Sequence, residues 1–154
     1  MADIAQSYNT RAMPVALKRV YEKPAAADGT RVLVDRLWPR GLKKEDAQLD
    51  VWLRDLAPSN ELRRWFHARP AQWQKFRARY LEELAEPAAA RALVELYELA
   101  HRRKRLTLIF ASKNPDHNNA SVLKELLDGM RKPPHSSGPE KAAGGAIRAR
   151  RSAR

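Results

Sequence analysis

Two short, nearly continuous apolar runs constrain the fold of this chain more than any other feature. They span residues 31–35 (Arg-Val-Leu-Val-Asp) and 106–111 (Leu-Thr-Leu-Ile-Phe-Ala), and turn-forming or polar residues follow each of them. Runs of this length and composition are typical of strands buried on both faces of a parallel sheet. A third segment rich in β-formers, residues 15–21, predicts another strand. Helical periodicity fills most of the interval between the two runs, so the sequence predicts an α/β domain.

Apolar residues recur at spacings of three and four in several stretches, which predicts helices there. The predicted helices are residues 42–56, residues 60–67, one whose first residue is Pro70, one that begins at Pro87, and residues 120–128. The third of them carries a single aromatic stripe made of Trp73, Phe76, Tyr80 and Leu84. Such a stripe indicates core packing, and a base-stacking surface is the alternative.

The length of 154 residues suits one domain with a tail at each end. Residues 1–13 lack periodicity and predict a flexible N-terminal arm, while residues 14–129 predict a single α/β domain. Residues 130–154 have too little apolar surface to offset the entropy of ordering, which predicts a disordered basic tail. From residue 131 onwards seven Lys/Arg face one acid, Glu140, so this tail carries +6 of the net charge of +12.

Composition excludes several classes of protein. The chain has no cysteine, which rules out disulfides, zinc sites with thiolate ligands and cysteine nucleophiles. No run reaches the ~18–20 apolar residues of a membrane-spanning helix, and the first residues do not resemble a secretory signal, so we expect a cytoplasmic protein without a membrane partner. His67, His117 and Asp35 lack the spacing of metal ligands, and no Gly-rich phosphate loop is present. We therefore expect neither a metal nor a cofactor.

The first loop, residues 35–41, follows the first apolar run and concentrates groups that bind anions. Arg36 and Arg40 each offer a rigid fork of donors that matches phosphate or carboxylate, and Trp38 lies between them. Asp35 is a candidate for proton transfer. The alternative is structural: Asp35 pairs with Arg36 or Arg40, and Trp38 fills the core.

The second loop, residues 112–119, follows the second apolar run and leads into a helix. Ser112, Lys113, Asn114, His117 and Asn118 are hydrogen-bonding groups next to a helix N-terminus, which favours negative charge. The structural alternative is that Asn118 or Asn119 caps the helix and that Lys113 is solvated. If the two apolar runs are parallel neighbours in the sheet, the two loops share one cleft, because ligands of open α/β sheets bind beyond the carboxyl ends of the strands.

Several motifs resemble those of the domain-of-unknown-function 488 (DUF488) family of bacterial proteins. They are Lys-Arg-Val-Tyr at 18–21, Asp-Gly-x-Arg-Val-Leu-Val-Asp-Arg-Leu-Trp-Pro-Arg-Gly at 28–41, Asp-Leu-Ala-Pro-Ser-x-Glu-Leu-Arg at 55–63, and Thr-Leu-Ile-Phe-Ala-Ser-Lys-Asn at 107–114. The resemblance implies a small, mostly parallel sheet with Rossmann-like layering and helices on both faces. It also implies a pocket shared by the first and second loops. Arg63 and His67, one helical turn apart, join the candidates for that pocket.

Two functional hypotheses follow. In the first, the protein is an enzyme or binding protein for a small phosphorylated or nucleotide-like ligand. Arg36, Arg40 and Lys113 then hold the anion, Trp38 walls the site, and Asp35, His67 or Lys113 transfers protons. In the second, the protein is a nucleic-acid-binding module that uses the tail, the cleft and the basic cluster Arg102–Arg105, although these cations also complement the helix dipole. A purely structural interaction domain is a third class, and the oligomeric state stays open.

Overall fold

A computed structural model describes residues 15–130, which form a four-stranded sheet and five α-helices. The strands are β1 (Val15–Arg19), β2 (Thr30–Leu33), β3 (Val51–Trp52) and β4 (Leu106–Phe110). All three strand pairings are parallel, and the strand order is β1-β4-β2-β3. This arrangement confirms the predicted α/β class and the three predicted strands. The predicted flexible arm, residues 1–13, lies outside the described residues, and so does the predicted disordered tail beyond Met130.

The helices are α1 (Lys44–Ala47), α2 (Asn60–Ala68), α3 (Trp73–Leu84), α4 (Pro87–Arg102) and α5 (Asn119–Gly129). Ser59 caps α2 by accepting a hydrogen bond from the amide of Leu62, and Pro87 occupies the first turn of α4, as expected. The helix predicted to start at Pro70 begins instead at Trp73, after a turn in which the amide of Gln72 donates to the carbonyl of Arg69. Within residues 15–130, no helix has the length and apolar character needed to cross a bilayer.

The long helix predicted for residues 42–56 is wrong. This segment contains α1, then β3, and then a 3₁₀ turn over Arg54–Leu56. α1 ends at Gln48, whose φ of 48° is left-handed. The apolar residues that suggested one helix face in fact serve two surfaces, because Leu49 and Trp52 pack on one side of the sheet and Leu53 and Leu56 on the other.

Two apolar clusters cover the two faces of the sheet. The larger cluster joins alternate residues of the strands, such as Val32 and Leu108, to side chains of α2, α3, α4 and α5. The smaller one is formed by Val20, Leu33 and Ile109, and is covered by Trp38, Leu42, Leu49, Trp52 and Ala111. The segment 38–52, which contains α1, therefore covers the second face. In the aromatic stripe of α3, Phe76, Tyr80 and Leu84 are buried, which confirms the core interpretation.

The chain reverses its direction across the sheet once. From β1 it proceeds through β2 to β3, and it then returns to insert β4 between β1 and β2. Because crossovers between parallel strands keep one hand, the reversal moves the connections to the opposite face. After β2 the chain passes to the second face with Trp38, and after β4 it enters α5 on the first face. The adjacent carboxyl ends of β2 and β4 thus form a topological switch point, which we call the switch edge.

Candidate functional site

Asp35 lies at the centre of the switch edge and joins its two strands. Its Oδ2 accepts a hydrogen bond of 2.8 Å from the backbone amide of Ala111, directly after β4. Its Oδ1 accepts one of 3.1 Å from Nδ2 of Asn119, which also donates to the carbonyl of Val34 at 2.9 Å. The first and second loops are therefore neighbours, as the parallel pairing of β2 with β4 requires.

The electrostatic environment of Asp35 combines burial with a nearby cation. Burial raises the pKa of its carboxyl group above the ordinary value, and the hydrogen bonds from Ala111 and Asn119 offset part of this rise. The positive charge of Arg63, exposed on α2, also lowers the pKa of Asp35. The structure thus brings Arg63 to the switch edge, as the family resemblance implied.

Arg36 holds backbone in place. Its Nη2 donates to the carbonyl of Ala57 at 3.1 Å, and its Nε donates to the carbonyl of Pro58 at 3.3 Å. These bonds tie the first loop to the segment that leads into α2. Asp35 forms no ion pair within residues 15–130, so the expectation that it pairs with Arg36 or Arg40 is wrong for the described structure.

Trp38 belongs to the scaffold beneath the first loop. Its Nε1 donates to the carbonyl of Leu42 at 2.6 Å, and its ring packs edge-on against Trp52 with the centroids 5.5 Å apart. Trp52 in turn donates from Nε1 to the carbonyl of Asp35 at 2.7 Å. The two indoles therefore position the backbone of Asp35, which supports the structural alternative for Trp38.

Arg40 stands at the exposed end of the first loop. Its carbonyl accepts a hydrogen bond of 3.0 Å from the hydroxyl of Tyr21, while its guanidinium has no hydrogen bond or ion pair within residues 15–130. Tyr21 and Leu37 are the exposed large apolar residues of the described chain. Arg40 thus keeps its donors available at the rim.

The second loop is shaped by its own side chains. The Oδ1 of Asn114 accepts from the amides of Asp116 and His117 at 2.9 and 3.0 Å, and the hydroxyl of Ser112 accepts from the amide of Asn114. Asn118 is buried and caps α5, because its Oδ1 accepts from the amide of Ser121 at 2.9 Å. This confirms the capping alternative for Asn118, and the polar groups of Asn114 and Asn118 organise the loop.

Three further candidates differ in their freedom. Lys113 is exposed, and its ammonium has no partner within residues 15–130. His67 is exposed on α2, one turn beyond Arg63. The ring of His117 stacks on Trp73 with the centroids 4.5 Å apart and an interplanar angle of 11°. Lys113 is therefore available to a ligand at the switch edge, whereas His117 is held against α3.

Comparison with known proteins places the chain in a family. The family model described as "Inactive DUF488-N3 subclade" matches residues 14–141. The chain belongs to the DUF488 family. It is 44% identical over 115 residues to the uncharacterised protein Rv3073c of Mycobacterium tuberculosis, with 75% of this chain and 94% of that protein covered. It is 43% identical to the uncharacterised protein YeaO of Escherichia coli, with 75% and 97% covered. No solved structure matches the chain significantly.

Sequence reasoning missed three parts of this DUF488 site. Arg19 donates from Nε to the carbonyl of Ser112 at 2.8 Å and from Nη2 to that of Ala111 at 3.1 Å, and nothing in the local pattern indicated this. Asn119 was considered only as a cap, yet its side chain contacts Asp35. Tyr80 is buried, donates to the carbonyl of Leu56, and has a pKa raised by burial and by the charge of Asp35.

The switch edge is held together largely by hydrogen bonds from side chains to backbone groups. Among residues 15–130, no group of three or more His, Asp or Glu side chains is placed to hold a metal ion. The switch edge instead has one half-buried carboxylate, that of Asp35, two backbone segments held by side-chain hydrogen bonds, and the available cations of Arg40, Arg63 and Lys113.

Proposed function

We propose that this protein binds a small phosphorylated ligand that bears hydroxyl groups, at the switch edge and without converting it. The observation that carries the proposal is Asp35, a half-buried carboxylate that spans β2 and β4 and feels the charge of Arg63. Ligands of open α/β sheets bind at such a switch point, because the diverging loops leave a crevice there.

The surplus of available cations supports an anionic ligand. Arg40, Arg63 and Lys113 are exposed and have no hydrogen bond or ion pair from their charged groups within residues 15–130. The second loop has one exposed carboxylate, that of Asp116, so the three cations outnumber it. Arginine forks and a lysine ammonium together suit a phosphate, which carries two charges and several acceptors.

Asp35 supports a ligand that also carries hydroxyl groups. Each of its carboxylate oxygens accepts one hydrogen bond from the protein and keeps a second lone pair. A hydroxyl donor satisfies this remaining capacity, whereas a second anion next to a half-buried carboxylate is repelled. Phosphorylated sugars and nucleotides combine the two chemical groups in one small molecule.

Two features favour binding over catalysis. The matching family model is described as an inactive subclade, and the curated relatives carry no stated activity. In addition, Asp35, which is predicted to transfer protons, already accepts hydrogen bonds from Ala111 and Asn119. A general base needs a partner that it can reach, and a bonded carboxylate is better suited to orienting a ligand.

Neutralising either of two cations of the switch edge should weaken binding. We expect Arg63→Gln and Lys113→Gln each to weaken the binding of ribose 5-phosphate or adenosine monophosphate about tenfold or more, since a hydrogen bond to a charged group contributes ~1.5–3 kcal/mol. Isothermal titration calorimetry measures the change. The matched control is Lys104→Gln, which removes an exposed lysine just before β4, at the end of that strand opposite the switch edge. This variant should leave the affinity unchanged. Equal losses in all three variants, or no binding by the unmodified protein at millimolar ligand, would contradict the proposal.

A further inference from the structure

The α2–α3 hairpin carries an unbroken run of positive charge. Between Leu62 and Leu81 the chain has six basic residues and no Asp or Glu: Arg63, Arg64, Arg69, Lys75, Arg77 and Arg79. All of them except the half-buried Arg77 are exposed, and Arg77 donates to Glu125 at 2.9 Å. Five exposed cations therefore follow one another along the hairpin between Glu61 and Glu82, with no acidic residue among them.

This charge pattern costs stability in the isolated protein. Solvated helices usually alternate signs, so that residues three or four apart attract each other. Lys75 and Arg79 are four residues apart on α3, and like charges at this spacing repel by a few tenths of a kcal/mol. A polyanion bound along the hairpin removes the repulsion, which gives the pattern a physical purpose.

The aromatic seam of the hairpin makes this basic surface rigid. Phe66 of α2 stacks on Phe76 of α3 with the centroids 4.4 Å apart, and it also contacts Trp73 at 5.8 Å. The turn between the helices is closed by two backbone hydrogen bonds of 2.9 Å, from Arg69 to Phe66 and from Gln72 to Arg69. The cations of α2 and α3 thus keep fixed positions relative to each other.

Trp65 orders two of the arginines, Arg69 at the end of α2 and Arg79 within α3. The guanidinium of Arg79 lies 4.5 Å from the centroid of Trp65, and that of Arg69 lies 5.6 Å from it. Cation–π contacts of this kind restrict the long side chains while leaving their N–H donors outward. Because the arginines are already ordered, less side-chain entropy is lost when they bind a phosphate.

We propose that this hairpin surface binds a nucleic-acid strand through its phosphate backbone, chiefly by way of Arg69 and Arg79, which are not part of the small-molecule site at the switch edge. The regularly spaced phosphates of such a strand match several guanidiniums that are held at fixed positions. A membrane surface fits less well, since the exposed large apolar residues of the described chain, Tyr21 and Leu37, lie outside the hairpin.

Removal of the two ordered arginines tests the proposal. The hairpin variant is full-length Arg69→Gln/Arg79→Gln, and the control variant is Arg103→Gln/Lys104→Gln. The control removes the same charge just before β4, outside the hairpin, and leaves the tail intact. Fluorescence anisotropy with a labelled 20-nucleotide oligothymidylate measures affinity at several salt concentrations. We expect the hairpin variant to bind at least tenfold more weakly, and its slope of log affinity against log salt to fall by about 1.4, or ~0.7 for each of two phosphate contacts. The control variant should lose less than threefold.

Equal losses in the two variants would overturn the proposal, because general charge would then explain binding. An unchanged oligonucleotide affinity of the hairpin variant would overturn it too. So would a hairpin variant that keeps its affinity for the oligonucleotide and loses only its binding to vesicles of phosphatidylserine and phosphatidylcholine. Should the glutamine variant fail to fold, as judged by circular dichroism, Arg69→Lys/Arg79→Lys replaces it. This variant keeps the charge but loses the planar fork, so we expect a threefold to tenfold loss, and unchanged affinity would count against the proposal.

Discussion

Asp28→Ala is expected to destabilise the protein by ~3–5 kcal/mol, since it removes one partner of a buried ionic cluster. Asp28 accepts from Nζ of Lys18 at 3.0 Å and from Nη1 of Arg31 at 2.6 Å, and Arg31 is only 3% exposed. Arg31 also donates to the carbonyls of Ala47 and Gln48 at the end of α1. Loss of the carboxylate leaves two cations with little access to solvent, and urea unfolding measures the cost.

The effect of Asp28→Ala should depend on pH. Burial raises the pKa of Asp28, but the hydrogen bonds from the amide of Ala25 and from Lys18 and Arg31 outweigh it, and the pKa lies below the ordinary value of 3.8. The stabilisation is therefore complete above pH 3.8 and is lost as the pH falls through the lower, folded-state pKa. Asp128→Ala is the control, since it breaks an exposed pair with Lys124 and should cost at most ~1 kcal/mol. A similar cost for both variants would show that the cluster is not buried.

Gly29→Ala is expected to destabilise the protein by at least about 3 kcal/mol, through both strain and overlap. Gly29 has φ of +67° and ψ of −137°, a region that is essentially restricted to glycine. A Cβ atom there would lie 2.4 Å from the carbonyl oxygen of Arg105, which also accepts from the amide of Thr30 at 3.0 Å. This approach begins the pairing of β2 with β4, so an alanine must separate the two strands that form the switch edge.

Two other glycines separate the two contributions. Gly41 has φ of +75° but open space around a Cβ atom, so Gly41→Ala should cost only the ~1–2 kcal/mol of backbone strain. Gly129 has open space and no positive φ, so Gly129→Ala should be close to neutral. Thermal unfolding should therefore rank Gly29→Ala as most destabilising, then Gly41→Ala, then Gly129→Ala. A Gly29→Ala protein as stable as Gly41→Ala would contradict the close approach of Arg105.

The sequence predicted those elements whose signal is local. The strands at residues 30–33 and 106–110 were visible because they are buried on both faces and bounded by turns. α1 and β3 were missed, because the apolar spacing of Leu49, Trp52, Leu53 and Leu56 matches a helix although it serves opposite faces of the sheet. The spacing of apolar residues alone cannot distinguish one face of a helix from a bent segment whose residues pack first on one face of the sheet and then on the other.

For the site, too, the sequence predicted what depends on local signal and missed what depends on the folded arrangement. Asp35 and Lys113 were identified from residue type and position and Arg63 from the family resemblance, and in the described structure the charge of Arg63 acts on the carboxylate of Asp35. The hydrogen bond from Ala111 to Asp35 depends on β4 lying beside β2, and that adjacency is a property of strand order that a separation of 76 positions along the chain does not reveal. The fork of Arg36 looked like a ligand group, yet it binds the carbonyls of Ala57 and Pro58, which come near only after folding.

The roles at the switch edge are accordingly divided between scaffold and ligand groups. Four side chains form hydrogen bonds with backbone groups and so hold the first and second loops in place: Arg36, Trp38, Asn114 and Asn118. Arg40, Arg63 and Lys113 keep theirs available. Because the scaffold groups are ordered before any ligand arrives, the proposed site is preorganised, and this favours affinity for a small ligand.

The most direct test of the proposed site is a ¹H–¹⁵N NMR titration of the full-length protein with ribose 5-phosphate. The amide of Ala111 and the side-chain amide of Asn119 both donate to Asp35, so their resonances report on any hydroxyl that reaches this carboxylate. The account predicts saturable shifts of these two signals and of the Lys113 amide, with the amides of Arg103 and Arg105 unmoved. Saturable shifts confined to other regions, or no shift at millimolar ligand, would contradict it.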